Sequence, residues 1–209
     1  MLRFDTAKIP AQLSRTFPMH KGRLEAFSDG VLAIIITIMV LEMKVPHGAE
    51  LAALLPVLPV FLSYVLSFVY VGIYWSNHHH LFQAVKHVNG AVLWANLHLL
   101  FWLSLFPFVT HWLGETHFAT LAVAVYGGVL IMAAIAYFIL TRVLLAGHGP
   151  DSTLARAIGA DTKGRISVVI YAAGIGLAFA STWLGIALYA AVADIWLIPE
   201  RRIEKTLAS

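Results

Sequence analysis

The chain contains no cysteine and very little charge. Of its 209 residues, 12% are Asp, Glu, Lys or Arg, while 60% are hydrophobic. Without cysteine, neither disulfides nor thiol chemistry can contribute, and nothing marks an oxidising or reducing compartment. With so few charges, a soluble domain of this length could not build a water-facing shell. The mean hydropathy of +0.81 points instead to one polytopic membrane domain. Tandem repeats, low-complexity tracts and interdomain linkers are missing too, so no second domain is expected. The net charge of +3 comes from basic residues scattered between apolar segments. That distribution reports membrane topology, not a nucleic-acid partner.

What is present is a series of long apolar stretches. A hydrocarbon core of about 30 Å takes roughly 20 helical residues. Six segments approach that length: Leu24–Val45, Leu51–Trp75, Ala91–Trp112, Phe118–Val143, Ile166–Ser181 and Trp183–Pro199. An even number of spans with an inside N-terminus places every basic residue except Lys44 on the inner side, from Arg3, Lys8 and Arg15 to Arg201, Arg202 and Lys205. This is the positive-inside pattern. The expected organisation is therefore all-α, with a cytoplasmic segment 1–22, a six-helix membrane domain 23–200 with an inner loop 147–164, and a cytoplasmic tail 201–209. The first residues precede a full-length span and carry no A-x-A site, so a cleaved signal peptide is not expected. Within the loop, Asp151 or Ser152 is placed to cap a short helix running to Ile158. Trp75, Trp94, Trp112, Trp183 and Trp196 fall near span ends, as an interfacial aromatic belt requires.

The first span raises a question of its own. Gly30–Leu41 carries no charge, yet Asp29 stands at its mouth. A carboxylate at that depth costs several kcal/mol unless it is paired or hydrogen-bonded. Arg23, six residues back, is not on the same helical face, so partners must come from other helices. Trp75, Asn77, His78 and His79 end the second span, and Asn96 and His98 begin the third; each can donate to a carboxylate. We therefore expect a buried polar bracket tying the first helix to the second and third. At 3.6 residues per turn, Ile34, Ile38 and Leu41 share a stripe with Thr37 beside it, and Asp29 lies about 140° from Ile34.

These residues resemble a known pattern. Arg23-x-x-x-Phe27-Ser28-Asp29, then Thr37 and Leu41-Glu42-x-Lys44-x-Pro46, is similar to the signature of TMEM175-type potassium channels, in particular their bacterial members with one six-helix unit per chain. Ser63-Tyr64, Ser67-Phe68, Trp75-x-x-His78-His79 and Asn96 with Pro107-Phe108 extend the resemblance over the first 110 residues. It implies a homotetramer with a pore lined by the first helix of each subunit, while the lack of targeting signals and the single repeat suit a prokaryotic plasma membrane. Ile34 would form a narrow apolar ring, with Ile38 and Leu41 beyond it and Thr37 as the candidate for potassium selectivity. Arg23, Phe27, Ser28, Asp29, Trp75, His78, His79 and Asn96 would form the structural network, and membrane lipid would surround the assembly. Potassium is the only ion implied, as permeant, and no cofactor is expected.

The sequence bears on mechanism in two further ways. T-V-G-Y-G is absent, which excludes a filter made from a ring of backbone carbonyls. A ring of Ile34 side chains would instead gate by dewetting. Two other classes compete. An intramembrane metalloenzyme is suggested by His78-His79-His80 with His87 and His98, but consecutive helical residues point about 100° apart and cannot share one ion. A secondary transporter or exporter is suggested by Pro56, Pro59 and Pro107, which can break spans. Against it, the first-helix motif has no second copy, and Asp194 is the nearest approach to a mid-membrane ionisable group.

Overall fold

In a computed structural model, residues 21–149, 152–158 and 161–197 are described. The expected segment 1–22 (except Lys21 and Gly22), the tail 201–209, and Pro150 and Asp151 of the loop lie outside those residues. The described chain is built of helices. They are α1 (Lys21–Leu41), a 3-10 turn (Leu51–Val57), α2 (Leu58–Gln83), α3 (Gly90–Ser104), α4 (Phe106–Glu115), α5 (Thr120–His148), α6 (Thr153–Ile158), α7 (Thr162–Ala178) and α8 (Thr182–Leu197).

Among the described residues, four stretches are long and apolar enough to cross a membrane: Lys21–Leu41, Leu51–Gln83, Gly90–Glu115 and Thr120–His148. Where the sequence predicts two further spans, the structure has the shorter helices α7 and α8, of 17 and 16 residues. In α1 the run Val31–Val40 is rich in β-branched Ile, Val and Thr, which are indifferent helix formers in water. In lipid the backbone has no other way to satisfy its N–H and C=O groups, so the same run is helical. Prolines set the remaining breaks. Pro59 sits in the first turn of α2, after the 3-10 turn that contains Pro56. The third span is split at Leu105, because Pro107 has no N–H to give the carbonyl four residues back; α4 restarts with it in the first turn.

The core lies around α5, which packs against α3, α4, α7 and α8. Its Val123, Tyr126, Leu130, Ala133, Ala136, Leu140 and Leu144 are all fully buried, at helical spacing. Next to it, α7 and α8 form an antiparallel hairpin locked by Tyr189. A Cβ on Gly174 would stand 2.5 Å from the Tyr189 ring, and one on Gly127 would meet its hydroxyl. Only glycine admits that ring. Ser152 caps α6, its Oγ accepting from the Ala155 N–H at 3.1 Å. By contrast, α1 packs on α2, α3 and α4, at the edge of this core.

Candidate pore helix and its polar bracket

Leu24, Ser28, Leu32, Ile35 and Met39 form the buried stripe of α1. The opposite face is bare. Ile34 is 59% exposed, Ile38 40% and Leu41 80%, with Thr37 and Phe27 exposed beside them. Since both faces are apolar, burial by the chain itself chooses which one is covered.

The polar bracket has a different centre from the one expected. Ser28 is fully buried, and its Oγ donates to the Leu24 carbonyl at 2.9 Å. It also accepts from Asn96 Nδ2 at 2.9 Å, while Asn96 Oδ1 lies 2.8 Å from His78 Nε2. Asn96 and His78 are both buried, so Ser28, Asn96 and His78 join α1, α3 and α2 through two side-chain bonds. The Asn96 carbonyl oxygen is an acceptor, so His78 presents Nε2–H to it. Asp29, expected to be buried, is exposed on the single chain; its carboxylate accepts from the Trp75 indole at 3.1 Å. The reason is geometric: one residue further along turns the side chain about 100°, out of the α1–α2–α3 seam. Lys21 adds a tie at the same end, donating to the Phe82 carbonyl at 3.1 Å.

The remaining expected members are peripheral. His79 stacks on Trp75, with centroids 5.9 Å apart, and pairs with Gln83 at 2.8 Å. His80 Nδ1 lies 3.1 Å from the Ser76 carbonyl, so the three consecutive histidines point to three different partners. Among the described residues, no group of three His, Cys, Asp or Glu side chains is placed to hold a metal ion. Asn77 donates to its own helix at Ile73, and His98 accepts from Trp102 at 3.0 Å. Arg23 is exposed, as is Phe27.

Thr37 bonds back to its own helix, lying 3.1 Å from the Ala33 carbonyl and 2.9 Å from that of Ile34. Its proton is thereby committed, and what it offers the exposed face is the lone pairs of Oγ1.

Sequence reasoning missed a second buried cluster behind α1. Thr110 Oγ1 donates to Ser67 Oγ at 2.6 Å, and Ser67 Oγ lies 2.9 Å from the Tyr126 hydroxyl. Ser63 Oγ lies 3.0 Å from the Thr110 carbonyl. The chain joins α2, α4 and α5, and touches α1 only through Met39 Sδ, 3.7 Å from Thr110 Oγ1. The signal was the i, i+4 spacing of Ser63 and Ser67 on one face of an apolar helix. At the Leu41 end, Lys44 pairs with Glu115 at 3.1 Å, both partly exposed. Glu42 Oε2 and His111 Nδ1 are buried there without a hydrogen-bond partner.

The chain as a whole is similar to known proteins. Residues 23–107 fit the family model of the endosomal/lysosomal potassium channel TMEM175. A protein of a Chryseobacterium species, named as a potassium channel, is 61% identical over 189 residues, covering 90% of this chain and 98% of that one. Another so named, from Streptomyces collinus, is 35% identical, covering 83% of this chain and 90% of its own. The crystal structure of a TMEM175 homologue from Chamaesiphon minutus, titled a lysosomal potassium-selective channel, superposes with a TM-score of 0.73 at 32% identity. That match covers 85% of this chain and 96% of the other. Matched so closely over nearly the whole length of its bacterial relatives, the chain belongs to the TMEM175 family.

Proposed function

We infer that this chain is a potassium channel of the membrane, passing ions passively along an axis lined by α1 from each of four subunits. The observation that carries this reading is the bare apolar stripe of α1, Ile34, Ile38 and Leu41, set opposite a stripe fixed by the chain's own packing. An apolar face left bare takes either lipid or further copies of the chain. In this reading four copies meet at an axis along the bare face of α1, and lipid covers the outer helices. The names of the bacterial relatives support potassium as the ion. The alternation of basic residues between the apolar segments supports six crossings of a prokaryotic plasma membrane with both termini inside, α7 and α8 completing the count as a short hairpin.

In this assembly the Ile34 side chains form the narrowest ring. Closed, the ring expels water, and an ion would meet the desolvation cost of any charge in an apolar site. Thr37 lies about 4.5 Å further along the axis. Four hydroxyl oxygens with their protons turned back to the helix would present lone pairs to a cation and replace part of its hydration shell. Asp29 stays with Trp75 and takes no part in conduction; Ser28, Asn96 and His78 hold the helix in register.

Purified protein in planar bilayers tests the reading. Expected are unitary currents that reverse near the potassium equilibrium potential, with Thr37→Ala lowering the potassium-to-sodium permeability ratio severalfold. Saturable flux without unitary currents would overturn the channel, and an unchanged ratio in the variant would remove Thr37 from selectivity.

A further inference from the structure

The α2–α3 connection, residues 84–89, buries Val85 and Val88 in the core, and two of its backbone amides reach an imidazole at the end of α5. His148 Nδ1 lies 2.8 Å from the Leu144 carbonyl, which can only accept, so this nitrogen carries the proton. On the other side, His148 Nε2 lies 3.0 Å from the Lys86 backbone N–H and 3.4 Å from that of His87. Amide N–H groups can only donate, so Nε2 must be the bare acceptor. The geometry thus fixes both the tautomer and the charge: the contact exists only with neutral imidazole. A proton arriving at Nε2 takes the lone pair that both amides use, and turns an acceptor into a donor facing donors.

We propose that His148 is a proton-released latch, holding the α2–α3 connection to α5 when neutral and letting it go when protonated. Among the described residues, the charged and titratable groups on the elements packed around it are mostly basic. The connection brings Lys86 and His87, whose ring stacks on that of His148 with centroids 6.2 Å apart. Lys21 reaches the end of α2 from α1, and Arg142 lies on α5 itself. The helices packed on α5 bring Arg156 from α6, Lys163 and Arg165 with the capping Asp161 from α7, and Asp194 from α8. Most are cations, and a further positive charge enters among them by freeing the loop.

The consequence reaches α1 through the ends of the same connection. It joins α2, which carries Trp75 and His78, to α3, which carries Asn96. Slack in the loop is slack in the bracket. That the latch regulates conduction rests on the channel reading above; the latch itself does not.

Hydrogen exchange of residues 84–89 in the full-length protein, corrected for intrinsic rates, tests the latch at about pH 8 and about pH 5.5. Protection of the Lys86 and His87 amides should fall about tenfold or more in acid, the scale of losing such bonds. His148→Gln keeps an acceptor oxygen and does not titrate, so its protection should be alike at both values. Equal wild-type protection at both values, or persistence of the change in His148→Gln, would overturn the latch. In liposomes, acid on the Lys86 face should change potassium flux at least threefold in the wild type and not in His148→Gln. Equal flux with a titrating latch would overturn the regulation alone. No flux at any pH would overturn the channel reading and leave the exchange result standing.

Discussion

The two ends of the chain solve the same problem differently. Around α5, α7 and α8 the inner apolar faces are consumed internally, while Val169, Trp183 and Leu197 stay exposed on the outside. The interior face of α5 is fully buried over six turns, and Tyr189 fills the space that Gly127 and Gly174 leave open. Around α1 the surface is left over, with Ile34 and Leu41 more than half exposed. The amino-acid types are nearly the same in both places, so hydrophobicity does not distinguish the scaffold from the candidate conduit. Close approach does: Gly127 and Gly174 let α5, α7 and α8 close around Tyr189, whereas a Cβ on Gly30 of α1 would meet open space.

The largest expected effect lies in the packed half. Gly174→Leu must displace the Tyr189 ring, a clash at or above the roughly 3 kcal/mol end of ordinary overpacking. Loss of the folded species in size-exclusion chromatography is the outcome to look for. Ser28→Ala comes next. It leaves the Asn96 amide without its acceptor in a buried site and should cost about 1–3 kcal/mol in detergent-solubilised unfolding. Ile34→Ser belongs to the open half and inverts the pattern: thermal stability should hold within about 0.5 kcal/mol, as for other changes at exposed sites. Baseline conductance should nevertheless rise severalfold as the constriction wets. If Ile34→Ser instead unfolds the protein, the contrast between the halves is lost. The smallest effect is expected from Lys44→Gln, which removes an exposed ion pair screened by water and salt. Melting temperature should scarcely move.

Much of this architecture was legible beforehand. Long apolar runs, proline positions and the basic-residue bias marked the helices and the split in the third span. That Ile34, Ile38 and Leu41 share a stripe followed from helical period, but with both faces of α1 apolar its assignment to a pore came only from the family resemblance. Asp29 was misjudged as the buried anchor because a charge draws attention and a serine does not. Ser28, one position earlier, occupies the seam, and a hydroxyl small enough to bond its own helix and a neighbour fits there at less desolvation cost than a carboxylate. Thr110 escaped notice for a related reason. Its partner Ser67 lies 43 residues away, and the break at Leu105 that turns α4 toward it has no local periodicity to read. The role of His148 depends on which lone pair faces which amide, and no spacing rule encodes that.

Polar ties to α1 sit near its two extremities: Lys21, Ser28 and Asp29 at one, Lys44 at the other. Between them the covered face meets its neighbours through greasy surfaces and one soft sulfur contact. A rod pinned at both tips and lubricated along its length can bow between them while the ties at its ends hold. Any widening at the waist is therefore cheap to begin and is bounded by the strength of its two moorings.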